Sequence, residues 1–243
     1  MFFSRIPVFR IYRDTDSCRR SNIRYLPLVG CIVGAISAAV FIASCHLFGK
    51  SVAVVLSMIS SIILTGAFHE DGLADTADAF GGAFEKEKIL AIMKDSRIGT
   101  YGALALISSF ALKFMLLNSL PVKLLPPFIL AAHSFSRIFP LLMVGGADYI
   151  SDAENAKSSL TADKISVPAL CFGILTGSAP LFLIDFSFTV FLITIPLLFI
   201  FLSLRKYFLN ILEGYTGDLL GAFQQIFEIL TLLFGIMLWK FNL

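Results

Sequence analysis

The sequence predicts an all-α protein, a polytopic integral membrane helix bundle of about seven transmembrane helices with a cytoplasmic N-terminus. Composition is the first reason: 57% of the 243 residues are hydrophobic and only 15% are charged, whereas soluble domains are about half apolar and about a quarter charged. The other reasons are the number of long apolar stretches and the uneven distribution of Lys and Arg between loops. Together they exclude a disordered chain, a disulfide scaffold and a free cytosolic enzyme.

The apolar stretches set the number of spans. A hydrocarbon core about 30 Å thick requires roughly 20 apolar residues in a helix. Seven stretches meet this requirement: 27–48, 51–68, 101–120, 124–145, 166–184, 186–204 and 219–238. Residues 1–26 mix aromatic and arginine residues, which is typical of an interfacial or cytoplasmic arm. We expect residues 1–243 to form a single membrane-embedded domain.

Charge distribution predicts the orientation. With the N-terminus inside, 14 of the 19 Lys and Arg fall on the inner side and three on the outer side, and cytoplasmic loops carry such an excess. Fifteen of the 17 Asp and Glu lie on the same side. We therefore expect a protein of the cytoplasmic (inner) membrane whose active face is toward the cytoplasm. The net charge of +2 indicates no nucleic-acid partner.

The most informative segment is HEDGLADTADAFGG, residues 69–82, which begins the predicted cytoplasmic acidic segment 69–100. On a helix, Asp71, Asp75 and Asp78 share an arc of roughly 60°. Like charges so close destabilise an isolated helix, unless a cation lies between them. Carboxylates with substrate phosphates are the usual ligands of Mg²⁺. We favour a metal site over a solvated helix start, which Asp71 alone would suit.

A basic segment follows in IMKDSRIGTYG, residues 92–102. Lys94, Asp95 and Arg97 lie beside Gly99 and Gly102, directly before the third span. Lys, Arg and backbone N–H groups near a helix start suit a phosphate. The alternative is a basic flank that sets orientation, which leaves the two glycines unexplained.

Polar residues also lie in three predicted spans, the third, the fourth and the last, where ionisable groups are costly and usually functional. His133, Ser136 and Arg137 form one stripe on the fourth span, and a functional site or a buried helix–helix pair explains them equally well. Asp218, Gln224, Gln225 and Glu228 share an arc of about 120° on the last span. We favour a pocket wall over interhelical hydrogen bonds. Lys113 of the third span is the candidate ion-pair partner of Glu228.

An acidic stripe, a basic segment and a buried Arg suit metal-assisted transfer of a phosphate-linked group. HEDGLADTADAFGG and IMKDSRIGTYG, with H-x2-SR in the fourth span and GYTGDLLGAFQQ near the end, closely resemble the cobalamin synthase (adenosylcobinamide-GDP ribazoletransferase) family. The match runs from the FFSRIPV start to about residue 228. It implies an Mg²⁺-dependent membrane transferase of the last stage of vitamin B12 nucleotide-loop assembly. That enzyme joins adenosylcobinamide-GDP to α-ribazole or its 5′-phosphate, giving adenosylcobalamin or its 5′-phosphate and GMP.

The resemblance also implies roles for individual residues. The metal ligands are Glu70, Asp71, Asp75 and Asp78. The catalytic residues are Asp75, Lys94 and Arg97, with Asp75 as the candidate general base. The substrate-binding residues are His69, Asp95, His133, Arg137, Asp218, Gln224 and Gln225.

Two alternatives remain from the sequence. The spacing of the acidic stripe is similar to that of the CDP-alcohol phosphotransferases of phospholipid synthesis, but their second D-x3-D is missing. A membrane cation carrier is the other alternative, although it would spread ionisable residues through the bilayer. Membrane lipid and other cobalamin-assembly enzymes are the further partners that we expect.

Overall fold

The computed structural model describes residues 22–150, 165–184 and 188–241, with only the backbone described for 188–190. These residues contain ten α-helices. In chain order they are α1 Leu26–Phe48, α2 Lys50–Thr65, α3 Phe68–Gly82, α4 Lys86–Met93, α5 Thr100–Ser119, α6 Leu125–Phe135, α7 Ile138–Gly145, α8 Val167–Ser178, α9 Phe188–Leu212 and α10 Gly217–Phe241. Short 3₁₀ turns at Ile23–Tyr25, Val122–Leu124 and Ala179–Leu183 extend α1, α6 and α8. The predicted all-α membrane bundle is confirmed.

Five continuous segments of the described chain are long and apolar enough to cross a membrane. They are Ile23–Phe48, Thr100–Ser119, Val122–Gly145, Phe191–Leu212 and Gly217–Phe241. A sixth candidate is the bent pair α2 and α3, and Val167–Leu183 is a shorter apolar segment at the predicted fifth span. About seven spans is compatible with these helices. The inside location of the N-terminus stays a prediction, because residues 1–21 lie outside the described residues.

The second predicted span, 51–68, differs most from the structure. The α2 helix ends at Thr65, and the axis turns by 88° before α3 begins at Phe68. Gly66 and Ala67 make the turn, since both adopt left-handed backbone conformations with φ of 70° and 60°. Such a conformation costs a non-glycine residue about 1–2 kcal/mol. We treat α3 as the start of the predicted cytoplasmic segment, because it carries four carboxylates.

Small residues let two helix pairs cross closely. A Cβ on Gly34 of α1 would lie only 2.9 Å from the Cα of Leu130 in α6. A Cβ on Gly72 of α3 would lie 2.6 Å from the backbone oxygen of Asp218 at the start of α10. Side-chain-free positions of this kind allow backbones to approach in membrane bundles. The second crossing brings the acidic face of α3 to the first turn of α10.

Aromatic residues pack α7, α9 and α10 together. The rings of Phe139 and Phe227 stack with centroids 3.7 Å apart, and Phe201 packs at 5.7 Å from Phe139 and 5.8 Å from Phe223. All four side chains are buried. Offset and edge-to-face aromatic pairs add about 0.5–1.5 kcal/mol each beyond their buried area. This cluster fixes α10, and so the position of Asp218, within the bundle.

Two backbone hydrogen bonds and one ion pair join the connections at the same end of the bundle. The N–H of Tyr215 donates to the carbonyl of Asp148, and the N–H of Ile150 donates to the carbonyl of Tyr215, both at 2.9 Å. Lys86, at the start of α4, forms an exposed ion pair with Glu213 at 2.5 Å. These contacts link the α3–α4 and α7–α8 connections to the turn between α9 and α10.

Candidate functional site

Three aspartates from two helices form an acidic face. Asp71 and Asp75 lie one turn apart on α3, and Asp218 lies in the first turn of α10. Burial, followed by the charges of Asp71, Asp218 and Asp78, raises the pKa of Asp75 to about 6. The backbones of α3 and α10 meet beside these side chains, because a Cβ on Gly72 would lie only 2.6 Å from the backbone oxygen of Asp218. The acidic face is therefore a concentrated negative site on the described part of the chain.

The four carboxylates predicted as metal ligands fall into two groups. Asp71 and Asp75 belong to the acidic face, whereas Glu70 and Asp78 are held by hydrogen bonds from the protein. The Oε1 of Glu70 accepts from Gln225 at 3.0 Å. The two oxygens of Asp78 accept from the N–H groups of Gly99 and Gly102 at 2.7 and 2.9 Å.

The carboxylate oxygens of the acidic face suit a hard cation that also binds phosphate oxygens of a substrate. Within the described ranges, no group of three or more His, Cys, Asp or Glu side chains is placed to hold a metal ion by itself. Mg²⁺ is usually bound through one or two carboxylates plus substrate phosphates. The neighbouring carboxylates of the acidic face fit that mode of binding.

In the predicted anion site at residues 92–102, the backbone N–H groups have a different partner from the one expected. The N–H groups of Gly99 and Gly102 were expected to bind phosphate, but both donate to Asp78. The side chains remain exposed at the surface. Arg97 is 87% exposed and binds both oxygens of Asp95, with Nη2 at 2.5 Å from Oδ2 and Nε at 2.9 Å from Oδ1. These bonds hold the pKa of Asp95 at about 2.

The segment between α4 and α5 carries two exposed basic residues. Lys94 and Arg97 both lie at the surface between α4 and α5. The guanidinium of Arg97 presents a planar fork suited to phosphate oxygens. Its partner in the structure is the carboxylate of Asp95, two residues away.

Inside the bundle, polar side chains of α3, α5, α6 and α10 form a buried network. Lys113 contacts Glu228 at 2.8 Å, with both side chains less than a tenth exposed. Lys113 also donates to Oε1 of Gln225 at 2.6 Å. Gln224 donates to Glu228 at 2.6 Å and to Ser136 at 3.2 Å. The predicted Lys113–Glu228 pair is confirmed.

His133 and Arg137 belong to the same interior. Nδ1 of His133 lies 3.3 Å from Glu228, and Nη1 of Arg137 donates to the backbone oxygen of His133 at 2.5 Å. Arg137 is 1% exposed. Both residues therefore lie within the helix packing, as does His69, which is buried where α3 crosses Gly221 of α10. Of the two readings for the fourth span, these contacts favour the buried helix–helix pair.

The polar arc of the last span is divided along its length. Asp218 joins the acidic face, but Gln224 and Gln225 are 0% and 2% exposed and belong to the buried network. The six or seven residues between Asp218 and these glutamines correspond to about 9–10.5 Å of rise along the helix. Residues on the same side of α10 can therefore lie at different depths in the bundle. These positions do not favour the expectation that Asp218, Gln224, Gln225 and Glu228 line one pocket wall, which stays a prediction.

A small cavity with both polar and apolar lining residues lies beside the buried network. It has a volume of about 20 Å³, which is room for one water molecule. Its polar lining consists of Ser57, Ser61, Glu70, Lys113, His133 and Glu228. Ser57 and Ser61 carried no signal in the sequence, because a serine in an apolar span is commonplace.

The fold and the acidic face define a polytopic membrane protein with a carboxylate site beside a basic segment at one end of its bundle. Residues 1–236 match the family described as cobalamin-5-phosphate synthase, and the chain belongs to this family. The resemblance given by the sequence motifs is confirmed.

Individual relatives agree with the family match. The chain is 40% identical over 243 residues to a protein of Shewanella amazonensis, covering 98% of this chain and 93% of that protein. It is 41% identical over 232 residues to a protein of Vibrio cholerae, covering 94% and 88%. Both relatives are named adenosylcobinamide-GDP ribazoletransferase. No solved structure matches this chain.

Proposed function

We propose that this chain transfers the cobinamide phosphate group of adenosylcobinamide-GDP to α-ribazole or its 5′-phosphate and releases GMP. The observation that carries the proposal is the match to the family along residues 1–236. The acidic face and the exposed basic segment support it, because the donor carries a diphosphate. The reaction belongs to the final nucleotide-loop assembly step of cobalamin synthesis.

The bond changes follow from the substrates. A hydroxyl oxygen of ribazole attacks the cobinamide-side phosphorus of the diphosphate in line. The bond from that phosphorus to the oxygen of GMP breaks, and GMP leaves with the bonding electrons. Asp75, whose pKa is raised to about 6 by burial and then by the charges of Asp71, Asp218 and Asp78, is the candidate acceptor of the hydroxyl proton.

Asp71 and Asp75 are the residues that would hold Mg²⁺ together with phosphate oxygens of the donor, and Asp218 of α10 would add negative charge beside them. Bound Mg²⁺ neutralises negative charge on phosphate oxygens. Lys94 and Arg97 contribute positive charge to the same diphosphate. The buried network holds α3 against α5 and α10 and so fixes the orientation of the carboxylates.

Location and further partners are part of the same proposal. The excess of Lys and Arg in alternate loops supports an acidic face toward the cytoplasm. The apolar helices support contact with membrane lipid. Association with other cobalamin-assembly enzymes would deliver the donor to this face.

The test of the activity uses the purified protein in detergent. We expect adenosylcobinamide-GDP, α-ribazole and Mg²⁺ to give adenosylcobalamin and GMP in equal amounts, measured by mass spectrometry and nucleotide chromatography. The 5′-phosphate of ribazole is the second acceptor to assay. Turnover of CDP-diacylglycerol with an alcohol, with no product from either ribazole form, would replace the proposal by the phospholipid alternative.

Metal removal gives a separate prediction. We expect excess EDTA to abolish GMP release and added Mg²⁺ to restore it, because the acidic face lacks the positive charge that a diphosphate requires. The control is EDTA that has been saturated with Mg²⁺ before addition. Undiminished GMP release in excess EDTA would contradict the assignment of a metal.

A further inference from the structure

Asp78 forms a clamp between α3 and the start of α5. Its Oδ2 accepts from the N–H of Gly99 at 2.7 Å and its Oδ1 accepts from the N–H of Gly102 at 2.9 Å. The side chain is 9% exposed. Hydrogen bonds to an ionised carboxylate are roughly twice as strong as neutral ones, and a negative charge at a helix N-terminus is stabilised further.

The two glycines are required by this carboxylate. A Cβ on Gly99 would lie 2.9 Å from Cγ and 3.2 Å from Oδ2 of Asp78, and its three nearest atoms all belong to that carboxyl group. The φ of Gly99 is −96°, which any residue adopts. A Cβ on Gly102 would lie 3.0 Å from Cγ of Asp78 and 2.8 Å from the backbone oxygen of Ala74. Space for the clamp, and not backbone conformation, explains glycine at position 99.

The clamp lies between the two halves of the proposed site. Asp75 is one helical turn before Asp78 on α3, and Arg97 is two residues before Gly99. The segment with Lys94 and Arg97 is thus fixed at its far end by Asp78. At its near end it follows Met93, which is buried and accepts a hydrogen bond from Thr216. Rigid support of this kind is what holds catalytic groups within the required tolerance.

We propose that Asp78 is a positioning residue that holds the Lys94–Arg97 segment against the acidic face, and that it is not a ligand of the metal. The expected effect of Asp78 on the reaction rate rests on the proposed transferase function. The clamp between Asp78 and the start of α5 does not. Both oxygens of Asp78 are already engaged by N–H groups, whereas Asp71 and Asp75 belong to the acidic face.

The kinetic test compares D78N with G99A. G99A keeps every carboxylate but displaces that of Asp78. A metal ligand moved or removed in this way raises the Mg²⁺ requirement, whereas a positioning residue lowers kcat and leaves that requirement unchanged. We expect both variants to lower kcat by about 10- to 100-fold, the cost of a misplacement near 1 Å, with the Mg²⁺ concentration for half-maximal rate unchanged. Glu87→Gln, an exposed carboxylate change on α4, is the matched control and should leave the rate unchanged. A raised Mg²⁺ requirement in D78N that excess Mg²⁺ overcomes, or a G99A variant with normal kcat, would overturn the proposal.

A stability test does not depend on enzyme activity, so it separates the clamp formed by Asp78 from the proposed transferase function. D78A, G99A and D78A/G99A are compared by thermal unfolding in detergent. Because the Cβ at position 99 conflicts only with the carboxylate, we expect G99A to lower the Tm of the wild-type protein but not that of D78A. Additive effects would refute the clamp. Non-additive effects in a protein without transferase activity would leave the clamp in place and remove the proposed function.

Discussion

Asp75→Asn should lower kcat by about 100- to 10,000-fold, the usual contribution of a positioned general base. Asn is nearly isosteric with Asp but removes the negative charge. Asp75 is the carboxylate whose pKa is raised to about 6 by burial and by Asp71, Asp218 and Asp78, which puts it within the acidic face. The measurement is GMP release with adenosylcobinamide-GDP and α-ribazole at saturating Mg²⁺.

Asp71→Asn should act in the same direction, since the two carboxylates occupy one face of α3. The fold should survive in both variants, because removing a like charge relieves repulsion within the acidic face. Thermal unfolding in detergent checks this, and Glu87→Gln serves as the carboxylate control on the neighbouring helix. A kcat for Asp75→Asn within twofold of the wild-type value would contradict a catalytic or metal-binding role for that residue.

Glu228→Leu should destabilise the fold by about 3–5 kcal/mol, because it leaves the buried ammonium of Lys113 without its counter-ion. The Lys113–Glu228 contact is 2.8 Å and lies away from solvent. Glu228 also accepts from Gln224 at 2.6 Å, so the substitution removes a second partner from the network. The measurement is the shift in the free energy of unfolding in detergent.

The double variant Lys113→Met/Glu228→Leu tests whether the unpaired ammonium of Lys113 causes this destabilisation. Replacing both members of a buried ion pair by apolar residues is often neutral or stabilising, whereas removing one is not. We therefore expect the double variant to be more stable than Glu228→Leu alone. The control is Glu213→Gln, which breaks the exposed Lys86–Glu213 pair and should change stability little. The single variant Lys113→Met completes the comparison. If the double variant loses as much free energy of unfolding as the two single variants lose together, Lys113 and Glu228 do not stabilise each other.

The sequence predicted the helices well because their signals are local. Apolar length gave the spans, and the acidic stripe on α3 has the helical spacing that places Asp71 and Asp75 on one face. The bend before α3 was not predicted, since a left-handed conformation at Ala67 has no local signature. After the bend, α3 packs closely on α10 at Gly72 and Gly221.

Roles that depend on a distant helix could not be read from spacing. Asp78 shares the stripe with Asp71 and Asp75, but the start of α5 supplies two N–H groups that engage it. Gln225 shares an angle with Asp218, but it lies deeper along α10 and contacts Lys113 and Glu70. Periodicity gives the direction of a side chain, while the neighbouring helix decides what that side chain binds.

The most direct test of the central claim is metal binding at the acidic face. Mn²⁺, used in place of Mg²⁺, is titrated into the purified protein with and without adenosylcobinamide-GDP and followed by electron paramagnetic resonance. We expect Mn²⁺ binding that the donor substrate strengthens, that Glu87→Gln retains, and that the double variant Asp71→Asn/Asp75→Asn loses. Equal Mn²⁺ binding by that double variant and by the wild-type protein would contradict a metal site on α3.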